Sequence, residues 1–234
     1  MSFSVKKVKA AVKNADNAMK VRDSIIRYLL VVCAMLVVPM AVSAQLTASK
    51  AFADAPREVF PMLTDLTRLD MIDYYASGTR TASRNLLDGE SRIEEMSPVQ
   101  MKVKMSDVST YTITILPAGR DSVIAVAAEI LTPVPDGYLV LYDRDWTPLD
   151  AKKFVAPTID NWLLPSAKKI MADIENAVPF IPATYTIDPS AMVLTVTQNV
   201  SSLIPAEDYD KVKDYLRPVL RYRWTGSKMS PLKD

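Results

Sequence analysis

The chain has 234 residues, with 28 Lys and Arg against 27 Asp and Glu, so it is nearly neutral and offers no general electrostatic case for nucleic acid or anionic lipid. It has no histidine and one cysteine. Ser-His-Asp and Cys-His catalysis, a histidine pH switch and zinc held by imidazole are therefore excluded.

The first element is an apolar run from Tyr28 to Val42, preceded by Lys20, Arg22 and Arg27 and ending in Ala41-Val42-Ser43-Ala44. This is the order of a secretory signal peptide, with small residues before a cleavage site. A membrane anchor is the alternative, but a bilayer span needs about 20 apolar residues and this shorter run contains Pro39. Met19-Lys20-Val21-Arg22 would make a conventional cationic start by itself, so the true start codon is Met1 or Met19. Cys33 lies in mid-core after Val31-Val32, away from any lipidation position. Residues 1–44 are thus expected to be a leader, and the exported protein to be periplasmic or extracellular with no membrane anchor. Cleavage removes seven of the basic residues and two of the acids, leaving 190 residues with a net charge of −4 and no cysteine. Disulfides cannot then contribute, and the core must stabilise a single domain over residues 45–234.

Asp54-Ala55-Pro56 reads as a helix start, interrupted at Pro61. A second helix is expected from Asp65 to Tyr75, with Leu66, Leu69, Ile72 and Tyr75 as its apolar stripe and Gly78 as its stop. Met101, Val103 and Met105 alternate with lysines, and Tyr111, Ile113 and Ile115 with threonines, as in half-buried antiparallel strands. Ser122 to Leu131 is almost wholly apolar and should be a central strand covered on both faces, followed by Gly137 to Tyr142. Short loops between these runs predict a meander. A proline-punctuated stretch then leads to a helix at Ser166–Ala177, capped by Ser166, with Ile170, Ile174 and Val178 on one face. Strands at Ala183–Ile187 and Ala191–Gln198, a helix opened by Pro205, a strand at Val219–Trp224 and a polar tail complete the chain. The fold class is α+β, with one antiparallel meander sheet packed by helices.

Asp143-Arg144-Asp145-Trp146-Thr147 follows an apolar strand, as does the Asp-x-Asp-x-Thr nucleophile motif of haloacid-dehalogenase-type phosphatases. That chemistry needs a parallel α/β context, which a meander does not give. The same acids resemble the start of a calcium loop, but Pro148 and Phe154 occupy the positions of its glycine and bidentate Glu. Ser166-Ala167-Lys168-Lys169 has the Ser-x-x-Lys spacing of penicillin-recognising enzymes, without the companion motifs. Leu116-Pro117-Ala118-Gly119 reads as a turn between strands and not as a sortase signal. Asp65, Asp70, Asp73, Glu94 and Glu95 read as solvated faces. No sequence signature for a cofactor or metal is found. Arg217, Arg221 and Arg223 alternate with Leu220, Tyr222 and Trp224, which puts the guanidinium groups on one strand face, able to grip a carboxylate, sulfate or phosphate bidentately. The plainer reading is a solvated face paired with acids on the neighbouring strand.

Val59-Phe60-Pro61-Met62-Leu63, Arg68-Leu69-Asp70-Met71-Ile72-Asp73-Tyr74-Tyr75 and Asn85-Leu86-Leu87-Asp88-Gly89 carry a family likeness. With Ile113-Thr114-Ile115-Leu116-Pro117, Leu141-Tyr142-Asp143, Trp146 and Leu149, the chain resembles the secreted Bacteroidales proteins grouped as domain of unknown function 3256. The resemblance implies an exported single-domain protein and carries no functional residues with it. The preferred expectation is a non-enzymatic domain binding an envelope protein or an anionic ligand, with Arg217, Arg221 and Arg223 as candidate ligand-binding residues. The rival is a carboxylate-based hydrolase of glycans or phosphoesters with Asp143 and Asp145, which needs two carboxylates facing each other at roughly 5–9.5 Å.

Overall fold

The computed structural model describes Met19, Arg22 and residues 45–233. The expected leader core, Cys33 and the cleavage position lie outside the described residues. The chain divides into a unit ending at Gln45 and one beginning at Leu46, and every helix and strand from Ala48 onward belongs to the second.

Helix α1 (Ala48–Asp54) starts because the Thr47 hydroxyl accepts from the Lys50 N–H at 3.2 Å. Asp54-Ala55-Pro56, expected to open a helix, closes this one instead. Ala55 precedes a proline, which disfavours helical backbone, and it is extended at φ −61°, ψ 140°. Turns carry the chain past the fully buried Phe60 and Leu63 to α2 (Asp65–Ala76), which Thr64 caps and which stops before Gly78 at φ +78°. Its extent is as expected, and Ile72 and Tyr75 of the expected stripe pack against the core, but the first half of the stripe does not. Arg68 and Met71 are buried, whereas Leu66 and Leu69 are 68% and 49% exposed. The Arg68 side chain reaches back to the Ala53 and Ala55 carbonyls at the end of α1, and that anchor turns the Leu66–Leu69 stripe outward.

The first sheet is an antiparallel meander in the order β1 (Ser83–Arg84), β2 (Glu90–Met96), β3 (Gln100–Ser106), β4 (Ser109–Ala118), β5 (Asp121–Ile130), β6 (Asp136–Tyr142). Its period-two faces separate two cores. Ile113, Ile124, Val126, Met101 and Val103 meet Phe52, Phe60 and Trp146 on one face. Leu116, Val123, Ala125 and Leu141 face the other way. β5 is the central covered strand its apolar run implies.

A second antiparallel sheet covers that other face, where a single sheet was expected. It runs in the order β10 (Met229–Pro231), β9 (Val219–Trp224), β8 (Val193–Gln198), β7 (Ala183–Asp188). Ile187, Leu194, Val196, Tyr222 and Trp224 point inward, and the Trp224 indole N–H donates to the Pro117 carbonyl at 2.6 Å. β6 and β7 are not joined as ladder partners. The Asp136 carboxylate accepts from the Ala183 N–H at 2.9 Å and the Asn199 amide donates to the Pro135 carbonyl at 2.8 Å.

Between the sheets in sequence lie α3 (Ile159–Trp162), a 3-10 turn (Pro165–Lys169) and α4 (Met171–Ala177). The helix expected from Ser166 is thus broken at Ile170, whose backbone (φ −129°, ψ 27°) leaves the helical region. Leu164, not Ser166, holds the cap position. After β8 come α5 (Val200–Leu203) and α6 (Ala206–Val212), the latter opened by Pro205 as expected. Ala167, Ile174, Val178, Val200, Val212 and Leu216 close a third, smaller core among these short helices.

Candidate functional site

β9 carries Tyr222 and Trp224 inward and Arg221 and Arg223 outward, as the alternation requires. Arg217 lies just before the strand, its backbone N–H held by the Trp162 carbonyl at 2.7 Å, which ties it to α3. The tail after β10 crosses the same end of β9, where the Leu232 N–H donates to the Arg221 carbonyl at 2.8 Å. The result is an open cavity of about 350 Å³, lined by Arg217, Arg221, Tyr222, Lys233 and Asn161 among others. Among the described residues no acid is in its lining. Three cations therefore converge on one concave surface. Burial in the second core raises the Tyr222 phenol above its ordinary pKa.

Arg223 lines the open sheet face and not this cavity. Its strand partners are Val193 on β8 and Ser230 on β10, while Arg221 faces Thr195. The acids that the plainer reading places on the neighbouring strand are absent from these positions. Among the described residues neither Arg221 nor Arg223 forms an ion pair. Lys233, Asn161 and Tyr222 escape sequence reasoning because they come from the tail, from α3 and from the strand's inner face. No local spacing links them.

Asp143 and Asp145 sit in a turn after β6. One Asp143 carboxylate oxygen accepts from the Asp145 and Thr147 N–H groups, both at 2.9 Å, while its own N–H donates to the Thr147 carbonyl. This turn holds Trp146 at φ +65° with its indole in the first core, 5.1 Å from the Tyr142 ring. Asp145 is exposed. Neither acid lines the Arg217–Arg221 cavity, and no group of three or more acids among the described residues is placed to hold a metal. The geometry gives Asp143 a loop-holding part.

The profile of DUF3256, a family described as protein of unknown function, matches residues 40–229. The chain belongs to the DUF3256 family. A solved domain of an uncharacterised protein from Porphyromonas gingivalis W83 shares the fold, with 21% identity and a TM-score of 0.66 over 80% of this chain and 98% of that one. A comparison with curated proteins finds no match. Two of the segments that suggested DUF3256 have structural work in the described unit. The buried Asn85 accepts from the Leu87 and Gly89 N–H groups at 3.0 Å and donates to the Met105 carbonyl and Ser91 hydroxyl at 3.1 Å, fixing the Asn85–Gly89 turn. In Asp70-Met71-Ile72-Asp73-Tyr74-Tyr75, Met71 is in the core, and Tyr75 is stacked under the Arg80 guanidinium at 4.1 Å from the ring centre.

Proposed function

We propose that this DUF3256 protein is an exported, non-enzymatic binding domain of the cell envelope whose Arg217–Arg221–Lys233 cavity takes an anionic group. The convergence of those three cations on one concave surface carries the reading. A guanidinium presents two parallel N–H donors to a carboxylate, sulfate or phosphate. The leader-like sequence of residues 20–44 supports export, and the lack of histidine throughout the chain supports binding over histidine-based chemistry.

Calorimetric titration with sulfate, inorganic phosphate and citrate is the direct test. Saturable binding is expected, weakened about tenfold or more by Arg221→Glu, since removing a charge-assisted pair and adding repulsion costs over 1.4 kcal/mol. Arg223→Glu should weaken it less, and Asp143→Asn should leave it unchanged. Absence of binding by all three anions, or equal loss in Arg221→Glu and Asp143→Asn, would refute the assignment. N-terminal sequencing of the cell-envelope fraction checks export, with cleavage after Ala44 as the expected result.

A further inference from the structure

We propose that the groove between α4 and α6 is a second, independent site, for a small amphipathic amine: an apolar body bearing one primary ammonium group. The groove has a volume of about 460 Å³, within the range of small-molecule pockets, roughly 300–1,000 Å³. Two helical stripes form it. Asp173 and Ala177 lie four residues apart on α4, with Ile170 at its N-cap, and Lys211 and Val212 lie three and four residues after Asp208 on α6. Ile170, Ala177 and Val212 are the apolar part, continuous with the third core beneath. That core gives the groove a firm floor for a hydrocarbon or aromatic body.

The polar part has a definite sign. Two carboxylates, Asp173 and Asp208, stand against one ammonium group, Lys211. Lys211 is paired with Asp208 at 2.8 Å, but both side chains are solvent-exposed, and such a pair contributes little and exchanges readily. Asp173 has no ion pair among the described residues, although its charge is felt at Lys211. A ligand ammonium between Asp173 and Asp208 would complete the neutralisation, whereas a ligand carboxylate would meet a net negative rim. A cation with an apolar body satisfies both parts of the groove, and neither a neutral phenol nor an acid does.

Tyramine, 4-ethylphenol and 3-(4-hydroxyphenyl)propionate share one aromatic body and differ in charge, so titrating each into the full-length chain tests the idea. Tyramine should saturate one site and bind about tenfold or more tighter than either analogue. Asp173→Asn should weaken it about fivefold or more, with unchanged circular dichroism. Ala177→Phe, which fills the groove, should abolish it, and Arg221→Glu should leave it intact. That last arm separates this site from the anion cavity, so either can fail alone. The proposal falls if tyramine shows no saturable binding up to about 10 mM, if the three probes bind alike, or if Asp173→Asn binds as the parent does. Ala177→Phe that folds and still binds would also overturn it.

Discussion

Arg68 is a full charge kept at 1% exposure, and its surroundings explain both why it is tolerated and why it is costly. One guanidinium nitrogen donates to the Ala55 carbonyl at 2.6 Å, the Ala53 carbonyl at 3.2 Å and the Asp65 carboxylate at 3.0 Å. The carbonyls belong to the end of α1, where backbone acceptors lack helical partners. The other two nitrogens have no partner among the described residues, and desolvation lowers the pKa of the group against the opposing pull of Asp65 and Asp54. Arg68→Ala leaves buried carbonyls unpaired and a void behind, so a loss of about 2–4 kcal/mol is expected in urea unfolding. Arg68→Met keeps the volume and removes the buried charge, so it should cost less than Ala. A Met variant as unstable as the Ala variant would show that the hydrogen bonds outweigh the desolvation. Residue roles of this kind are hard to read from sequence. Nothing in the local sequence marks Arg68 for burial, because the carbonyls it serves belong to the preceding helix end, and the Asp143 motif does not show the N–H groups its carboxylate accepts from.

At the scale of elements, the strands were legible and the helix faces less so. A strand with one buried side writes its burial directly into alternation, and Met101, Val103 and Met105 all point into the core as that pattern requires. Two edge elements escaped. β1 is two residues long and β10 three, too short to show a period, and both are placed by ladders to β2 and β9. In α2 the spacing marked the helix correctly and hydropathy marked half of its inner face, since Ile72 and Tyr75 pack against the first core, but Leu66 and Leu69 face outward and Arg68 and Met71 are buried instead. Leu66→Gln and Leu69→Gln are therefore expected to change stability by no more than about 0.5 kcal/mol. Met71→Ala, at 2% exposure in the parent, should cost about 2–4 kcal/mol. Chemical denaturation of the three variants decides which stripe faces inward. A larger loss at Leu69 than at Met71 would reverse the orientation of the helix.

At the scale of the whole described unit, α1 and α2 cover one face of the six-stranded sheet and the second sheet covers the other. That second layer was the part of the fold least visible in the sequence, since inward alternation reads alike in one sheet or two. The cation cavity was half legible for a related reason: Arg217 and Arg221 share a local pattern, whereas Lys233 joins them only when the tail crosses β9. The two cores also share a chemical vulnerability. Tyr111 and Tyr142 pack in the first, Tyr185 and Tyr222 in the second, and burial raises the pKa of all four above its ordinary value of 10. For Tyr111 the neighbouring Tyr138 and Tyr142 push it further in the same direction. In the unfolded chain these phenols ionise near pH 10, while in the fold they keep their protons to higher pH. The stabilisation is therefore complete below about pH 10 and declines above it, because the folded state then binds protons that the unfolded state has released. Each such tyrosine contributes a slope of up to about 1.4 kcal/mol per pH unit. Urea unfolding between about pH 8 and 11 should show a plateau followed by a fall, and Tyr111→Phe should flatten the fall by up to that amount. An unchanged slope in Tyr111→Phe would mean that the Tyr111 phenol meets water as freely in the folded state as in the unfolded one, and the aromatic contact between Phe60 and Tyr111 at 5.6 Å would not seal the first core at that edge.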